Sequence, residues 1–340
     1  MSTFVHRQDL PIVGITLGDV AGIGPEVVVR ALARDDVKAS CRPLVIGDRR
    51  VLEDPRFAAQ GLCFQAVEDI SQADWSAYPV VVLDVHVVDP RDVTVGRISP
   101  VAGRAAVQFV LKATALALEG AIDAVATAPL NKEAMRLAGY DYIGHTEILA
   151  DVTHTAECTT MLATPGLRVT HVTRHIPFRE IAAAITAEAV LDTITVTDEG
   201  MRSLGYAHPR LAVAGLNPHN GDGGLIGDEE ITVIGPAVRA AVARGIDVRG
   251  PIPADSVFFQ AIRGDYDVVV TMYHDQGHIA VKTHGFEQSI TITLGLPIIR
   301  TSADHGTAFD IAGRGIASEA SMAAAITEAA RMARRRAAQP

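Results

Sequence analysis

Short runs of β-branched residues alternate with longer amphipathic segments along the chain, an order that few folds can accommodate. This order is typical of a largely parallel sheet covered by helices. The runs predicted as strands are Pro11–Thr16, Pro43–Ile46, Pro79–Val85, Ala124–Thr127, Leu167–Thr173, Leu211–Leu216, Asp267–Met272 and Ser289–Leu294. The predicted helices include Ala102–Leu118, Glu229–Ala243 and Ser318–Arg335. The pattern therefore predicts an α/β protein.

The length of 340 residues corresponds to about two domains, at roughly 100–200 residues per domain. No internal repeat and no Pro/Ser-rich linker marks a boundary between them. We therefore expect residues 1–340 to form one interwoven unit of two α/β subdomains, with the chain crossing between them more than once.

The chain carries 40 Asp and Glu residues against 30 Lys and Arg residues, for a formal charge of −10. This charge disfavours binding to nucleic acid or to an anionic membrane. Met1–Leu10 has no apolar run and no stretch approaches about 18 continuous apolar residues, so neither a signal peptide nor a membrane span is predicted. Three scattered cysteines without a CxxC spacing fit a reducing cytoplasm, which is the expected location.

A glycine-rich stretch, Gly18–Glu26, follows the first predicted strand and opens a helix with Pro25 in its first turn. Its sequence GDVAGIGPE lacks the third glycine of a dinucleotide-binding fingerprint, and no Gly-Lys-Ser/Thr phosphate loop is present. From the spacing alone, a tight strand-to-helix turn is as good an interpretation as a nucleotide site.

Three histidines, His175, His219 and His274, each lie just beyond the carboxyl end of a predicted strand. In an open α/β sheet those ends line one crevice, so the three imidazoles are expected to converge and hold a divalent metal. Asp275 is a candidate partner for the ring of His274. The alternative is three separate surface histidines. The sequence does not determine which divalent metal would bind, and the candidates are Zn, Co, Mn, Ni, Fe and Mg.

A second group of residues suits an anionic substrate. His145 and Thr146, in the motif GHTE, are expected to point into the crevice as donors, although Thr146 could equally be a helix N-cap. Lys282 and Arg300 follow apolar segments and are candidates to bind phosphate or carboxylate. The alternative is that either residue is an ordinary surface cation.

The segment Asp304–Gly315 is dense in glycine and polar residues. Its sequence DHGTAFDIAGRG suits either a ligand-holding loop or a plain connection. Pattern alone does not identify a ligand for it.

Taken in order, these motifs closely resemble the PdxA family, the 4-hydroxythreonine-4-phosphate dehydrogenases. The motifs that carry the resemblance are GDVAGIGPE, ATAPLNKEA (Ala126–Ala134), GHTE (Gly144–Glu147), GLNPHNGDGG followed by GDEE, PADSVF (Pro253–Phe258), YHDQGHIAVK (Tyr273–Lys282) and ITLGLPIIRTSADHGTAFDIAGRG. They run from Gly18 to Gly315 and so cover nearly the whole chain. The branch that acts on 4-phosphothreonate is the most similar, through QGHI, TSADHGTAFDIA and SEASM.

The resemblance implies an isocitrate/isopropylmalate dehydrogenase-like fold, in which two α/β domains form a homodimer with the active site at the interdomain cleft and the subunit interface. It implies NAD binding without a Rossmann fingerprint. The family's metal ligands correspond to His175, His219 and His274, contributed by both subunits. Its substrate contacts correspond to His145, Thr146, Lys282, Thr291 and Arg300. The turn His305–Asp310 resembles a nicotinamide-dinucleotide-binding segment, with Gly306 and Asp310 as its candidate contacts.

The function that the resemblance implies is metal- and NAD-dependent oxidation of the C3 hydroxyl of 4-phospho-D-threonate or 4-phospho-D-erythronate, followed by decarboxylation to dihydroxyacetone phosphate. Asp255 and Asp275 are candidates for proton handling or for support of the metal. Thr291 stands where the biosynthetic enzymes usually have Asn, so a hydroxyl replaces an amide that can both donate and accept.

Four alternatives remain open from the sequence. One is the biosynthetic reaction on 4-phosphohydroxy-L-threonine, in which an amine replaces the C2 hydroxyl. Another is a dihydrodiol-carboxylate dehydrogenase of aromatic degradation, which the intact GHTE motif disfavours. A three-histidine metal aldolase or hydrolase would act without nicotinamide. The fourth is a non-catalytic metal-binding or regulatory module, which failure to bind NAD, metal or any phosphorylated acid would favour.

Overall fold

The protein is described here by a computed structural model covering residues 9–57 and 62–338, so most of Met1–Leu10 lies outside the described residues. The strands are β1 (Ile12–Thr16), β2 (Arg42–Gly47), β3 (Phe64–Val67), β4 (Val80–Asp84), β5 (Ala124–Thr127), β6 (Thr159–Thr164), β7 (Leu167–His171), β8 (Leu211–Ala214), β9 (Val248–Ile252), β10 (Val268–Thr271), β11 (Ile290–Leu294) and β12 (Arg300–Ala303). The α-helices are α1 (Gly24–Ala33), α2 (Asp35–Ser40), α3 (Arg49–Glu53), α4 (Pro100–Leu118), α5 (Lys132–Leu137), α6 (His145–Val152), α7 (Ile181–Ala184), α8 (Ala187–Ser203), α9 (Gly235–Ala243), α10 (Ala254–Ile262), α11 (His274–Gly285) and α12 (Ala320–Ala337).

The described chain divides into two compact units. Unit 1 contains the described residues up to Ala156 together with Leu296–Ala338, and unit 2 contains Glu157–Gly295. Unit 1 is therefore discontinuous in sequence.

The strands of unit 1 lie in the order β3-β4-β2-β1-β5-β12, and every neighbouring pair is parallel. Strands covered on both faces read as continuous apolar runs, and β4, with the sequence VVVLD, is buried at every residue. Helix α12 packs on β12, β5 and β1, and α4 packs on β1, β2 and β5. The parallel pairing of these strands and the helices packed on them confirm the prediction of a parallel sheet covered by helices in this unit.

Helix α4 is rich in small apolar residues, and its N-cap is Ser99, whose hydroxyl accepts a hydrogen bond from the backbone N–H of Ala102. Among the described residues, it is the one helix whose length and composition would suit a membrane span. However, 56% of its apolar window is buried inside the protein. The contacts with β1, β2 and β5 show that α4 is a core helix of unit 1.

The strands of unit 2 lie in the order β11-β6-β7-β10-β8-β9. Strands β7, β10, β8 and β9 are parallel to one another, whereas β6 runs antiparallel to both β11 and β7. The expectation of a largely parallel sheet therefore holds, and β6 is the antiparallel exception in this unit. Strands β6 and β7 form a hairpin whose two-residue turn is Pro165-Gly166, with Gly166 at φ 83°.

The core of unit 2 forms where the inner faces of β7, β8 and β10 meet α10 and α11. Its buried members include Leu162, Val169, Val257, Val269 and Val281. This core holds the carboxyl ends of the parallel strands in place, and those ends carry the candidate metal ligands.

Candidate functional site

The three histidines predicted as metal ligands all lie in unit 2, each after the carboxyl end of a parallel strand. His175 follows β7, His219 follows β8, and His274 is the first residue of α11, directly after β10. Because β10 pairs in parallel with both β7 and β8, the three strands end at the same edge of the sheet.

The imidazole of His274 has a fixed hydrogen-bond pattern. Its Nδ1 lies 2.6 Å from Oδ1 of Asp275, and a carboxylate oxygen only accepts, so Nδ1 carries the proton. In the neutral ring, Nε2 then keeps its lone pair. A histidine held by a carboxylate in this way is the usual form of a metal ligand, because the carboxylate sets the tautomer and raises the basicity of the ring.

His175 lies beside His274, with 5.5 Å between the ring centroids, and it is exposed. His219 is also exposed, and its Nδ1 lies 3.8 Å from Oδ2 of Asp222. In the described parts of the chain, no three His, Cys, Asp or Glu side chains are close enough together to hold a metal ion. The structure thus brings His175 and His274 together but does not add His219 to them.

The loop that carries His219 has an unusual backbone. Five consecutive residues, His219–Gly223, have positive φ, between 45° and 76°. A non-glycine residue in this conformation costs roughly 1–2 kcal/mol, so the surrounding structure must hold the loop. Glu230, which is 4% exposed, does so: its Oε1 accepts from the backbone N–H groups of Leu216 and Asn217, each at 2.7 Å.

Two histidines that the sequence reasoning did not select lie beside His274. His171, the last residue of β7, is 4% exposed, and its ring centroid is 4.8 Å from that of His278 on α11. Burial, with smaller contributions from neighbouring positive groups, lowers the pKa of His171 to about 3. The motifs HVTRH and HDQGH contain both residues, but only the fold shows that the rings meet.

The other candidates in unit 2 are spread over three elements. Lys282 lies on α11 at a spacing of eight residues from His274, on the same helix face, and its Nζ is 5.5 Å from the centre of the Phe286 ring. Thr291 is half-buried on β11. Asp255 is exposed in the first turn of α10.

Unit 1 carries the second group of candidates, around Arg300. Arg300 begins β12 and is buried, and its Nε and Nη2 donate to Oγ1 of Thr127 at 3.2 and 2.7 Å. Burial lowers the pKa of its guanidinium to about 9, which leaves the group protonated at neutral pH. Arg300 is thus a buried cation held in place by a neighbouring strand.

His145 lies next to Arg300 and is kept neutral. Burial and the positive charge of Arg300 hold the pKa of His145 well below its usual range, against a backbone hydrogen bond with Ala128. Its Nε2 is buried and has no hydrogen-bond partner among the described residues. Helix α6 begins at His145, with Gly144 as the N-cap. The N-cap role considered for Thr146 is therefore wrong, and its hydroxyl lies in the first turn of the helix.

The loop with Gly306 and Asp310 packs against the glycine-rich turn of the same unit. The backbone N–H of Ile23 donates to the carbonyl of Thr307 at 3.0 Å, and a Cβ on Gly22 would lie 2.7 Å from that carbonyl oxygen. Gly22 therefore permits a close backbone approach. Gly306 and Asp310 are both exposed, and a Cβ on Gly306 would meet nothing within 4 Å.

Comparison with known proteins gives consistent results. A family model described as "Pyridoxal phosphate biosynthetic protein PdxA" matches residues 39–329. The D-threonate 4-phosphate dehydrogenase of Cupriavidus necator is 49% identical over 331 residues, which cover 96% of this chain and 99% of that protein. A crystal structure of 4-hydroxythreonine-4-phosphate dehydrogenase from Klebsiella pneumoniae has a TM-score of 0.87 at 45% identity, covering 95% of this chain and 99% of that one.

A terephthalate 1,2-cis-dihydrodiol dehydrogenase from Burkholderia xenovorans LB400 is less similar. Its crystal structure has a TM-score of 0.64 at 30% identity, and the match covers 92% of this chain and 95% of that one. This protein represents the aromatic-degradation alternative raised by the sequence.

Fold and relatives together define the class: an α/β dehydrogenase, an oxidoreductase acting on a CH–OH group. Within that class, the chain belongs to the PdxA family. Both the α/β fold class and the family resemblance expected from the motifs are confirmed.

Proposed function

We propose that the protein oxidises the C3 hydroxyl of 4-phospho-D-threonate or 4-phospho-D-erythronate with NAD, and that loss of carbon dioxide then gives dihydroxyacetone phosphate. The observation that carries the proposal is the His274–Asp275 pair beside His175, at the ends of parallel strands in a PdxA-family chain. The name of the Cupriavidus necator relative, D-threonate 4-phosphate dehydrogenase, supports this substrate.

The donor chemistry of this chain fits a divalent metal. Asp275 fixes the proton of His274 on Nδ1 and leaves Nε2 as a ligand atom, and His175 lies beside it. When bound, a divalent metal supplies a Lewis acid that favours ionisation of a substrate hydroxyl, and NAD supplies the hydride acceptor. Asp275 and Asp255 are the candidate groups for moving the hydroxyl proton.

The remaining candidates bind the substrate's anionic and hydroxyl groups. Lys282 and Arg300 are cations that suit phosphate and carboxylate, and Arg300 is already oriented by Thr127. Neutral His145 offers a ring nitrogen without a charge, so it can bond to a hydroxyl without adding another cation beside Arg300. Thr146 and Thr291 each add a hydroxyl that both donates and accepts.

We further propose that a second copy of the chain completes the metal site. Within the described residues of one chain, His219 does not join His175 and His274 in a group able to hold a metal. A homodimer in which two chains share the ligands resolves this separation, as the family resemblance implies. Gly306 and Asp310 are the proposed contacts for NAD. Three scattered cysteines without a CxxC spacing support a location in the reducing cytoplasm.

NADH formation, followed by absorbance, tests this function. Purified enzyme with added metal is compared on 4-phospho-D-threonate, 4-phospho-D-erythronate and 4-phosphohydroxy-L-threonine, with EDTA-treated enzyme and His274→Ala as controls. We expect turnover of a 2-hydroxy acid to exceed turnover of the amino acid and to be lost in both controls. Preference for the amino acid would instead indicate the biosynthetic reaction. Substrate cleavage without NADH would indicate a metal aldolase or hydrolase.

A further inference from the structure

The imidazoles of His171, His278 and His274 form a cluster in unit 2. The rings of His278 and His274 are 3.6 Å apart between centroids and inclined by 15°, so these two rings stack face to face. The rings of His171 and His278 are 4.8 Å apart and inclined by 29°. The rings of His171 and His274 are 5.9 Å apart. These three distances make nearly a right angle at His278, so His171 lies to the side of the stacked His274–His278 pair.

Each ring of the cluster forms a hydrogen bond through its Nδ1 to a group in unit 2. His278 Nδ1 is 3.2 Å from the backbone carbonyl of His274, which can only accept, so His278 is the donor. His171 Nδ1 is 2.6 Å from Oγ1 of Thr271, and that hydroxyl donates its own hydrogen to the carbonyl of Thr170 at 2.8 Å. His171 Nδ1 is therefore also a donor. In their neutral forms, all three rings carry the lone pair on Nε2.

The buried member of the cluster, His171, is closely packed. His171 is 4% exposed, and its Nε2 has no hydrogen-bond partner among the described residues. A Cβ on Gly277, in the first turns of α11, would lie 2.5 Å from Cε1 of His171. The ring of His171 thus packs directly on the backbone of the helix that carries His274 and His278, and it has little freedom to move.

We propose that His278 and His171 are positioning residues for the metal centre. His171 packs against the side of the His274–His278 pair and limits its movement, and the stacked face of His278 fixes the plane of the His274 ring while Asp275 fixes its proton. A ligand whose orientation is set before the metal arrives loses less conformational freedom on binding. This inference rests on the proposed metal centre and assigns two residues to its support.

Binding of Co²⁺ to the metal-free full-length protein, followed by its visible absorption, tests the inference apart from catalysis. In His278→Leu the stack is broken, and we expect Co²⁺ to bind more weakly by about 10-fold or more, with an altered spectrum. His278→Phe keeps a flat ring and is expected to restore most of the affinity. His208→Leu, a change at an exposed histidine of the same unit, is the matched control and should bind as the wild type does.

These variants distinguish failure of the proposed metal centre from failure of the proposed positioning role. If His274→Ala binds Co²⁺ as tightly as the wild type, the proposed metal centre is wrong and the inference fails with it. If His274→Ala loses binding while His278→Leu keeps the wild-type affinity and spectrum, only the inference is overturned. Equal losses in His278→Phe and His278→Leu would contradict ring stacking and make His278 a ligand itself. Should His278→Leu lower the Tm of the metal-free protein, His278→Gln, which lacks a ring but keeps a donor, must show the same weakening.

Discussion

At the scale of single residues, Asp19 is a buried carboxyl group that the proposed chemistry does not use. Its Oδ1 accepts from the backbone N–H of Ala21 at 2.9 Å, and its Oδ2 has no hydrogen-bond partner among the described residues. Burial raises the pKa of Asp19 to about 6, against the opposing effect of the Ala21 hydrogen bond. The ionised form is therefore disfavoured in the folded chain.

This pKa has a testable consequence for stability. Between the unfolded value of 3.8 and the folded value of about 6, the native chain binds more protons than the unfolded chain. The free energy of unfolding therefore falls as the pH rises through that window, by about 3 kcal/mol at most. Asp19→Asn cannot ionise, so its Tm relative to wild type should increase from about pH 4 to about pH 7. A Tm difference that stays constant with pH, as expected for the exposed control Asp35→Asn, would contradict the assignment.

Thr291 tests the choice between a hydroxy and an amino substrate. We expect Thr291→Asn to raise kcat/KM for 4-phosphohydroxy-L-threonine relative to 4-phospho-D-threonate, because the longer Asn side chain offers an ammonium group an amide oxygen, a stronger acceptor than a hydroxyl. Parallel kinetics on both substrates give the ratio. Thr283→Asn, the same change at an exposed position of α11, should leave the ratio unchanged. An unchanged ratio in Thr291→Asn would remove this residue from substrate selection.

Sequence reasoning reached some of these residues and missed others for physical reasons. His175, His219 and His274 are found because parallel strands end at one edge, so position along the chain predicts position in space. His171 is missed because its contact with His278 joins residues about a hundred positions apart, and no local pattern encodes it. His278 could have been found, because the i,i+4 spacing of His274 and His278 places both rings on one face of a helix. The lowered pKa of His145 likewise depends on burial in the folded chain and, to a smaller degree, on Arg300, which is distant in sequence.

At the scale of secondary-structure elements, the eight predicted strands correspond to β1, β2, β4, β5, β7, β8, β10 and β11. Strand β6 was missed, although the Pro165-Gly166 turn that follows it is a hairpin signal. The predicted helix Glu229–Ala243 begins as a π-helical turn over Glu230–Ile234 before α9. Glu230 explains the departure, since its carboxylate turns back to hold the loop that carries His219.

Glu230 therefore stabilises the loop that carries His219. Glu230→Ala leaves the half-buried backbone N–H groups of Leu216 and Asn217 without their acceptor, and we expect the free energy of unfolding to fall by about 1 to 3 kcal/mol. Chemical denaturation measures this change. Asp228→Ala, at an exposed position of the same segment, should change it little. Equal stability of the two variants would show that Glu230 does not hold the left-handed turn.

At the scale of the whole molecule, sharing of the metal ligands between two chains is open to a complementation test. His219→Ala and His274→Ala are each expected to be inactive. If the two side chains serve one site from different subunits, co-expression of the variants creates mixed dimers in which one site has both histidines intact. We expect roughly a quarter of wild-type activity to return for random pairing in a C2 dimer. Continued inactivity of mixed dimers, once their formation is shown, would place both ligands in one chain.

The division into two units was beyond the reach of composition. Unit 1 is discontinuous, and the boundaries at Ala156 and Leu296 follow no change in Pro, Ser or charge content. The family resemblance implied two α/β domains, and its motifs extend over both units.

The most direct test of oxidative decarboxylation is the product balance on 4-phospho-D-threonate. The proposed reaction converts one substrate and one NAD into one NADH, one carbon dioxide and one dihydroxyacetone phosphate. We expect these three products in equal amounts with metal-loaded enzyme, and none after metal removal. NADH without carbon dioxide would limit the enzyme to oxidation, and dihydroxyacetone phosphate or another cleavage product without NADH would contradict the account.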